Sequence, residues 1–101
     1  MSFHLKGKGG ALRVGYHVAA TLGAYALSPA GAGEWSVEAA VTETDAFWLS
    51  QPAAQTLELA VGQQRWIWRG VALAVDGAVV RGTVSGHPDR SVATLSWGLL
   101  D

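Results

Sequence analysis

At 101 residues, with 7 Lys and Arg against 8 Asp and Glu and no cysteine, the chain has the length of one domain and a net charge of −1. That balance excludes a global field drawing the protein to nucleic acid or to an anionic membrane. The missing cysteine excludes disulfides and thiolate metal sites, and leaves the compartment open. Charged residues make up only 15% of the chain, against about a quarter in typical soluble domains, so much uncharged surface must be exposed or covered by neighbouring subunits.

Residues 1–10, with "LKGKGG", read as a flexible N-terminal arm whose Lys6 and Lys8 can reach a neighbouring subunit. The segment from Val14 to Gly33 has a basic start and an apolar run, but Gly15, His17, Thr21 and Gly23 interrupt it. It therefore does not read as a cleaved signal, and nothing approaches the run of about 20 apolar residues of a transmembrane span. In "GGALRVGYHV" the alternation of Leu12, Val14, Tyr16 and Val18 predicts a strand, "LGAYALS" a second, and "SPAGAGE" the loop after it. "EWSVEAAVTET" places Trp35, Val37, Ala39 and Val41 on one face of a half-buried strand. "TDAFWLSQP" predicts a helical turn capped by Asp45 and stopped before Pro52.

"TLELAV" turns Leu57, Leu59 and Val61 inward and Glu58 outward, and "GQQ" makes the next turn. In "RWIWRG" strict alternation sets Trp66 and Trp68 against the face of Val71, Leu73 and Val75. A bulge at Gly70 brings all five onto one inner face and leaves Arg65 and Arg69 outside, and this register is preferred. In "VALAVDGAVVRGTV" the pair Asp76-Gly77 predicts a two-residue type I′ hairpin in which Val75 faces Ala78, Leu73 faces Val80 and Val71 faces Gly82. "SGHPDRS" reads as a turn and "VATLSWGLL" as a last strand. The sum is a single all-β domain over residues 1–101: a small antiparallel barrel or sandwich of about six to eight short strands with at most one helical turn.

No catalytic constellation emerges. Ser85, His87 and Asp89 fall in one turn without a nucleophile elbow, His4, His17 and His87 lack metal-ligand spacing, and Glu34, Glu38, Glu43 and Asp45 fit a solvated strand face that could meet a basic arm of another subunit. The expectation is a protein without enzyme activity, cofactor or metal. Trp66 and Trp68 with Arg65 and Arg69 admit two uses: core and subunit interface, or a platform that stacks on carbohydrate. A nucleic-acid groove is disfavoured because the basic residues are scattered and offset by acids.

Across "VTETDAFWLSQPAAQTLELAVGQQRWIWRGVALAVDGAVVRGTVSGHPD" the chain resembles small β-rich structural proteins of tailed-bacteriophage virions and prophages. The likeness covers about half the chain and is carried by Asp45 with Phe47-Trp48, Leu57 and Leu59, Gly62, Trp66 and Trp68, and Gly86 with Pro88. It implies a non-enzymatic virion part: a capsid decoration protein, a head-tail joining piece or a tail or baseplate component. The expected partners are copies of itself or other virion proteins, with neither nucleic acid nor membrane. The expected location is the virion, or otherwise the cytoplasm. The candidate contact residues are Trp66, Trp68, Arg65, Arg69, Phe47 and Trp48, on a frame set by Gly70, Asp76 and Gly77. The alternative of a different class is a small carbohydrate-binding module using Trp66 and Trp68.

Overall fold

The structure is a computed structural model and describes residues 5–92. In chain order it contains β1 (Leu5–Val14), β2 (His17–Gly31), β3 (Glu34–Thr44), α1 (Ala46–Leu49), β4 (Gln55–Val61), β5 (Gln64–Val71), β6 (Ala74–Asp76), β7 (Val79–Ser85) and β8 (Asp89–Val92). The strands form one 8-stranded antiparallel sheet in the order β6-β7-β3-β2-β1-β4-β5-β8. It is all-β as expected, and its edges are not joined by hydrogen bonds into a closed barrel. The first three strands are not short: they run 10, 15 and 11 residues. No helix among the described residues is long and apolar enough to cross a membrane.

The connections force this sheet to roll. β5 is seventh in the order and β6 first, which in a flat sheet would set them about 29 Å apart. Only Ala72 and Leu73 join them, and three Cα steps reach at most about 11 Å. The two ends of the sheet must therefore lie side by side. A side chain holds the crossing: the Gln55 amide accepts from the Leu73 backbone N–H at 2.8 Å and donates to the Leu73 carbonyl at 3.4 Å, in place of a strand partner. The rolled inner face encloses Leu12, Leu27, Leu57, Leu59, Val37, Val80 and Val84, all under 2% exposed.

The bulge lies at Gly70. Gln55 pairs with Val71 and Thr56 with Arg69, so Gly70 is the extra residue, and its φ of 69° is one that an L side chain rarely adopts. One extra residue returns Trp66, Trp68, Val71 and Leu73 to the inner side. α1 starts where Asp45 accepts from the Phe47 N–H at 3.1 Å, and it packs against β2.

Several local expectations are corrected. Leu5 to Gly10 do not form a free arm, because they pair with β2 from Leu5↔Leu27 to Gly10↔Leu22; residues 1–4 lie outside the described residues. Tyr16 is not in a strand. Val14 pairs with His17, so Gly15-Tyr16 is a two-residue turn, which preserves the alternation across it and makes two strands look like one. "LGAYALS" is the second strand as expected, although β2 is longer at both ends and begins at His17, and "SPAGAGE" is largely strand, since β2 runs to Gly31 and turns only at Ala32-Gly33. The hairpin loop after β6 is Gly77-Ala78, with Asp76↔Val79 and Val75↔Val80 paired. Gly77 has φ 63° and no described non-glycine residue, Ala78 included, has positive φ, which gives the signs of a II′ turn, not the I′ turn that Asp76-Gly77 suggested. The register moves by two residues, so the faces stay as expected. The expected turn "SGHPDRS" is shorter than read, because β8 already begins at Asp89; of the last expected strand only Val92 is described, as the end of β8, and Leu95, Trp97 and Leu99 lie outside the described residues.

Two measurements check this frame. Gly70→Ala is expected to lower stability in urea unfolding by about 1 to 2 kcal/mol through backbone strain alone, because a Cβ there meets nothing within 4 Å. The second concerns Tyr25, buried on β2, whose hydroxyl donates to the Ala60 carbonyl. Burial pushes this phenol above its ordinary value of 10.0. A raised acid favours the protonated form in the folded chain, so its share of stability is complete below pH 10 and is lost as pH climbs through the raised value. Thermal melts from neutral to strongly alkaline pH are expected to fall above pH 10 less steeply in Tyr25→Phe. At neutral pH that variant loses about 1 kcal/mol with the hydrogen bond.

Candidate functional site

The structure divides the candidate residues between the two faces of β5. Trp68 is 3% exposed, and its indole N–H donates to the Gly86 carbonyl at 3.3 Å, tying β5 to the β7–β8 connection. Its ring offers no face to a ligand, which corrects the platform reading at this residue. Trp66 is half-buried, meets Trp68 edge to face with centroids 6.1 Å apart, and carries Arg90 of β8 over its ring at 4.6 Å. Arg65 and Arg69 lie on the outer side, so the tryptophans and these arginines do not converge on one site.

The outer face holds a feature that alternation alone concealed. Glu58 is not a solvated residue: it is 7% exposed. Its two carboxylate oxygens face Arg13 Nε of β1 at 3.1 Å and Arg65 Nη1 of β5 at 3.5 Å. The register makes this geometry, because Ala11 and Ile67 lie directly opposite Glu58 on the two flanking strands and the arginines reach in diagonally from Thr56's and Ala60's partners. Arg69, in contrast, is largely exposed and pairs with Asp89 of β8. Thr56 sits between Arg13 on β1 and Arg69 on β5, directly in register with both. Arg13, Gly15, Tyr16, Thr56, Glu58, Arg65, Ile67 and Arg69 together line an open cleft of about 290 Å³.

Phe47 and Trp48 lead to a second feature. Trp48 is half-buried, with His17 stacked on it at a centroid distance of 3.7 Å and an interplanar angle of 10°, and Phe47 meets it edge-on at 5.0 Å. Phe47 itself is 62% exposed and Tyr16, at the β1–β2 turn, 96% exposed; Val18, two residues on in β2, is exposed as well. Sequence reasoning found Phe47 and Trp48, but missed Tyr16, His17 and Val18 because it assigned them to a strand interior. The glycine at position 15, followed by two aromatic rings, was the available signal for a turn.

The assignments separate by substitution. Trp68→Ala is expected to cost about 3 to 5 kcal/mol as a core truncation. Glu58→Ala is expected to cost about 2 kcal/mol, because it strands two guanidinium groups that retain partial solvent access. Arg81→Ala, at an exposed pair with Glu38, is expected to stay within about 0.5 kcal/mol of the parent, and chemical denaturation reads all three. No protein-family model, curated protein or solved structure matches the chain.

Proposed function

We propose that the protein is a non-enzymatic assembly component that works through contacts with other protein chains, and that it serves as a structural part of a tailed-phage particle. The observation that carries the contact reading is the pair of exposed rings Phe47 and Tyr16: Phe47 meets Trp48 edge-on, His17 stacks on Trp48, and Tyr16 precedes His17 in the β1–β2 turn. Exposed large apolar side chains near one another are suited to being covered by another surface. The low charged content, 15%, supports the same reading, since a surface poor in charge is suited to being covered. The phage context is supported by the resemblance carried by residues 41–89.

The energetics of such contacts follow apolar area, at about 25 cal/mol per Å² removed from water, so association through this end is expected to be nearly insensitive to moderate salt. Light scattering behind size exclusion, across a concentration series, is expected to show a defined oligomer. Phe47→Ser and Tyr16→Ser are expected to shift it toward monomer while leaving the melting temperature within a few degrees. A monomer at every concentration would remove self-assembly, and loss of the oligomer at moderate salt would assign the contact to charges.

A further inference from the structure

We propose that the outer face of β1, β2 and β3 is a contact surface for a second copy of this chain, in which Lys6 and Lys8 of each copy meet Glu38 of the other. Residues directly opposite on neighbouring strands share a face, and two pairings carry one row across the sheet: Lys6↔Ala26 and Ala26↔Glu38. Lys8↔Ala24 lies one step along on the same face. The row therefore runs from a cation over a small residue to an anion. Lys6 and Glu38 stand two strand spacings apart, about 10 Å, and with Ala24, Ala26 and Ala40 they line a groove of about 330 Å³. Lys6 and Lys8 are exposed and form no ion pair among the described residues. Arg81 meets Glu38 at one oxygen, Oε2, at 3.2 Å, and both side chains of that pair stay more than half exposed.

The fold gives no reason for this face to be so bare. Alanine is depleted in strands, because its short side chain packs poorly on the pleated surface. Yet Ala24 and Ala40 are exposed on the two strands at the centre of the sheet, with Ala26 half-buried beside them. The outer face of β4 and β5, in contrast, carries Glu58, Arg65 and Arg69. Side chains this short let a second sheet approach more closely than the usual spacing of about 10 Å.

The symmetry follows from the charge pattern. A two-fold axis along β2, in the plane between two facing sheets, exchanges the flanks and keeps each row at its own level. β1 of one copy then lies over β3 of the other, so Lys6 faces the other copy's Glu38, Lys8 reaches the same carboxylate from the next row, and every contact is made twice. A two-fold across the strands would set β1 over β1 and lysine against lysine, so charge selects the first arrangement. On a rolled sheet the copies come closest at the axis, where β2 presents Ala24 and Ala26. The patch spans three strands, about 14 Å, by five residues, about 17 Å, far less than the roughly 800 Å² per partner of a stable dimer. The contact therefore holds alone only at high concentration, and gains strength where a second contact tethers the copies. Naming a second copy rests on the contact reading above, whereas the charge pattern does not.

The test is the mass of the full chain by light scattering at low salt, up to millimolar concentration, in a Tyr16→Ser/Phe47→Ser background that lacks the exposed rings. A dimer is expected at the highest concentrations. Lys6→Glu and Glu38→Lys, both at exposed positions, are each expected to weaken it about tenfold, because each turns two attractive pairs into repulsive ones. An equal mixture of the two variants is expected to restore the dimer, since the facing pairs between unlike chains are again of opposite charge. A background that is monomeric at every concentration, a single variant that dimerises as tightly as the background, or a mixture no tighter than its components would each overturn the proposal. A monomeric background beside an oligomeric parent would remove this face and leave the aromatic contact standing. A background dimer that the mixture restores, beside a parent whose association ignores Tyr16 and Phe47, would sustain this face and remove only the aromatic contact.

Discussion

The structure depends on a constraint of two residues. Ala72 and Leu73 carry the chain from the seventh strand of the sheet to the first, and no flat sheet permits so short a crossing. The sheet must coil until its ends meet, and the right-handed twist general to strands allows this over the length of β1, β2 and β3. Where backbone pairing stops, Gln55 supplies the missing partner by bonding both polar groups of Leu73. A buried crossing without it would leave a donor and an acceptor unsatisfied, at a cost comparable to the hydrogen bonds lost. The Gly70 bulge belongs to the same solution: it turns the strand just before the crossing and sets the tryptophans inside.

Rolling gives the two faces different chemistry. The inner face is closed and apolar, with Trp68 filling the space between β5 and the β7–β8 connection. The outer face of β1, β4 and β5 remains open, yet its small residues, with Ala11 nearly as buried as the core, bring long side chains from neighbouring strands over one another. Glu58 becomes buried for this reason, covered by the arginines that neutralise it. Its burial is a property of three strands in register, not of its own strand.

This explains which features were legible in the sequence. Period-two alternation is decided by neighbours along the chain, so the inward sets on β3, β4 and β7 could be read directly. The helical turn could be read from Asp45 because a capping side chain acts within three residues. Alternation is blind to any change that preserves parity, and it failed at such changes: the two-residue turn at Gly15-Tyr16, and the two-residue shift of the β6–β7 hairpin. Pro29 is a loop signal by residue type, yet it pairs with Trp35 beside an irregularity in β2, beyond the last residue that β1 pairs among those described. The arginine cleft was not legible because its members come from β1, β4 and β5, and only the register sets them side by side.

The same logic joins the cleft to the aromatic end. The two-residue β1–β2 turn carries Tyr16 outward, where the ring is almost fully exposed. The turn also places the Tyr16 carbonyl within reach of Arg13, three residues earlier. One short loop thus fixes an exposed ring and orients a guanidinium group. Apolar contact is non-directional and gives area without register, whereas a forked cation fixes the angle of what it binds. One loop of two residues therefore sets both kinds of chemistry, apolar area and directed charge, on neighbouring parts of the surface.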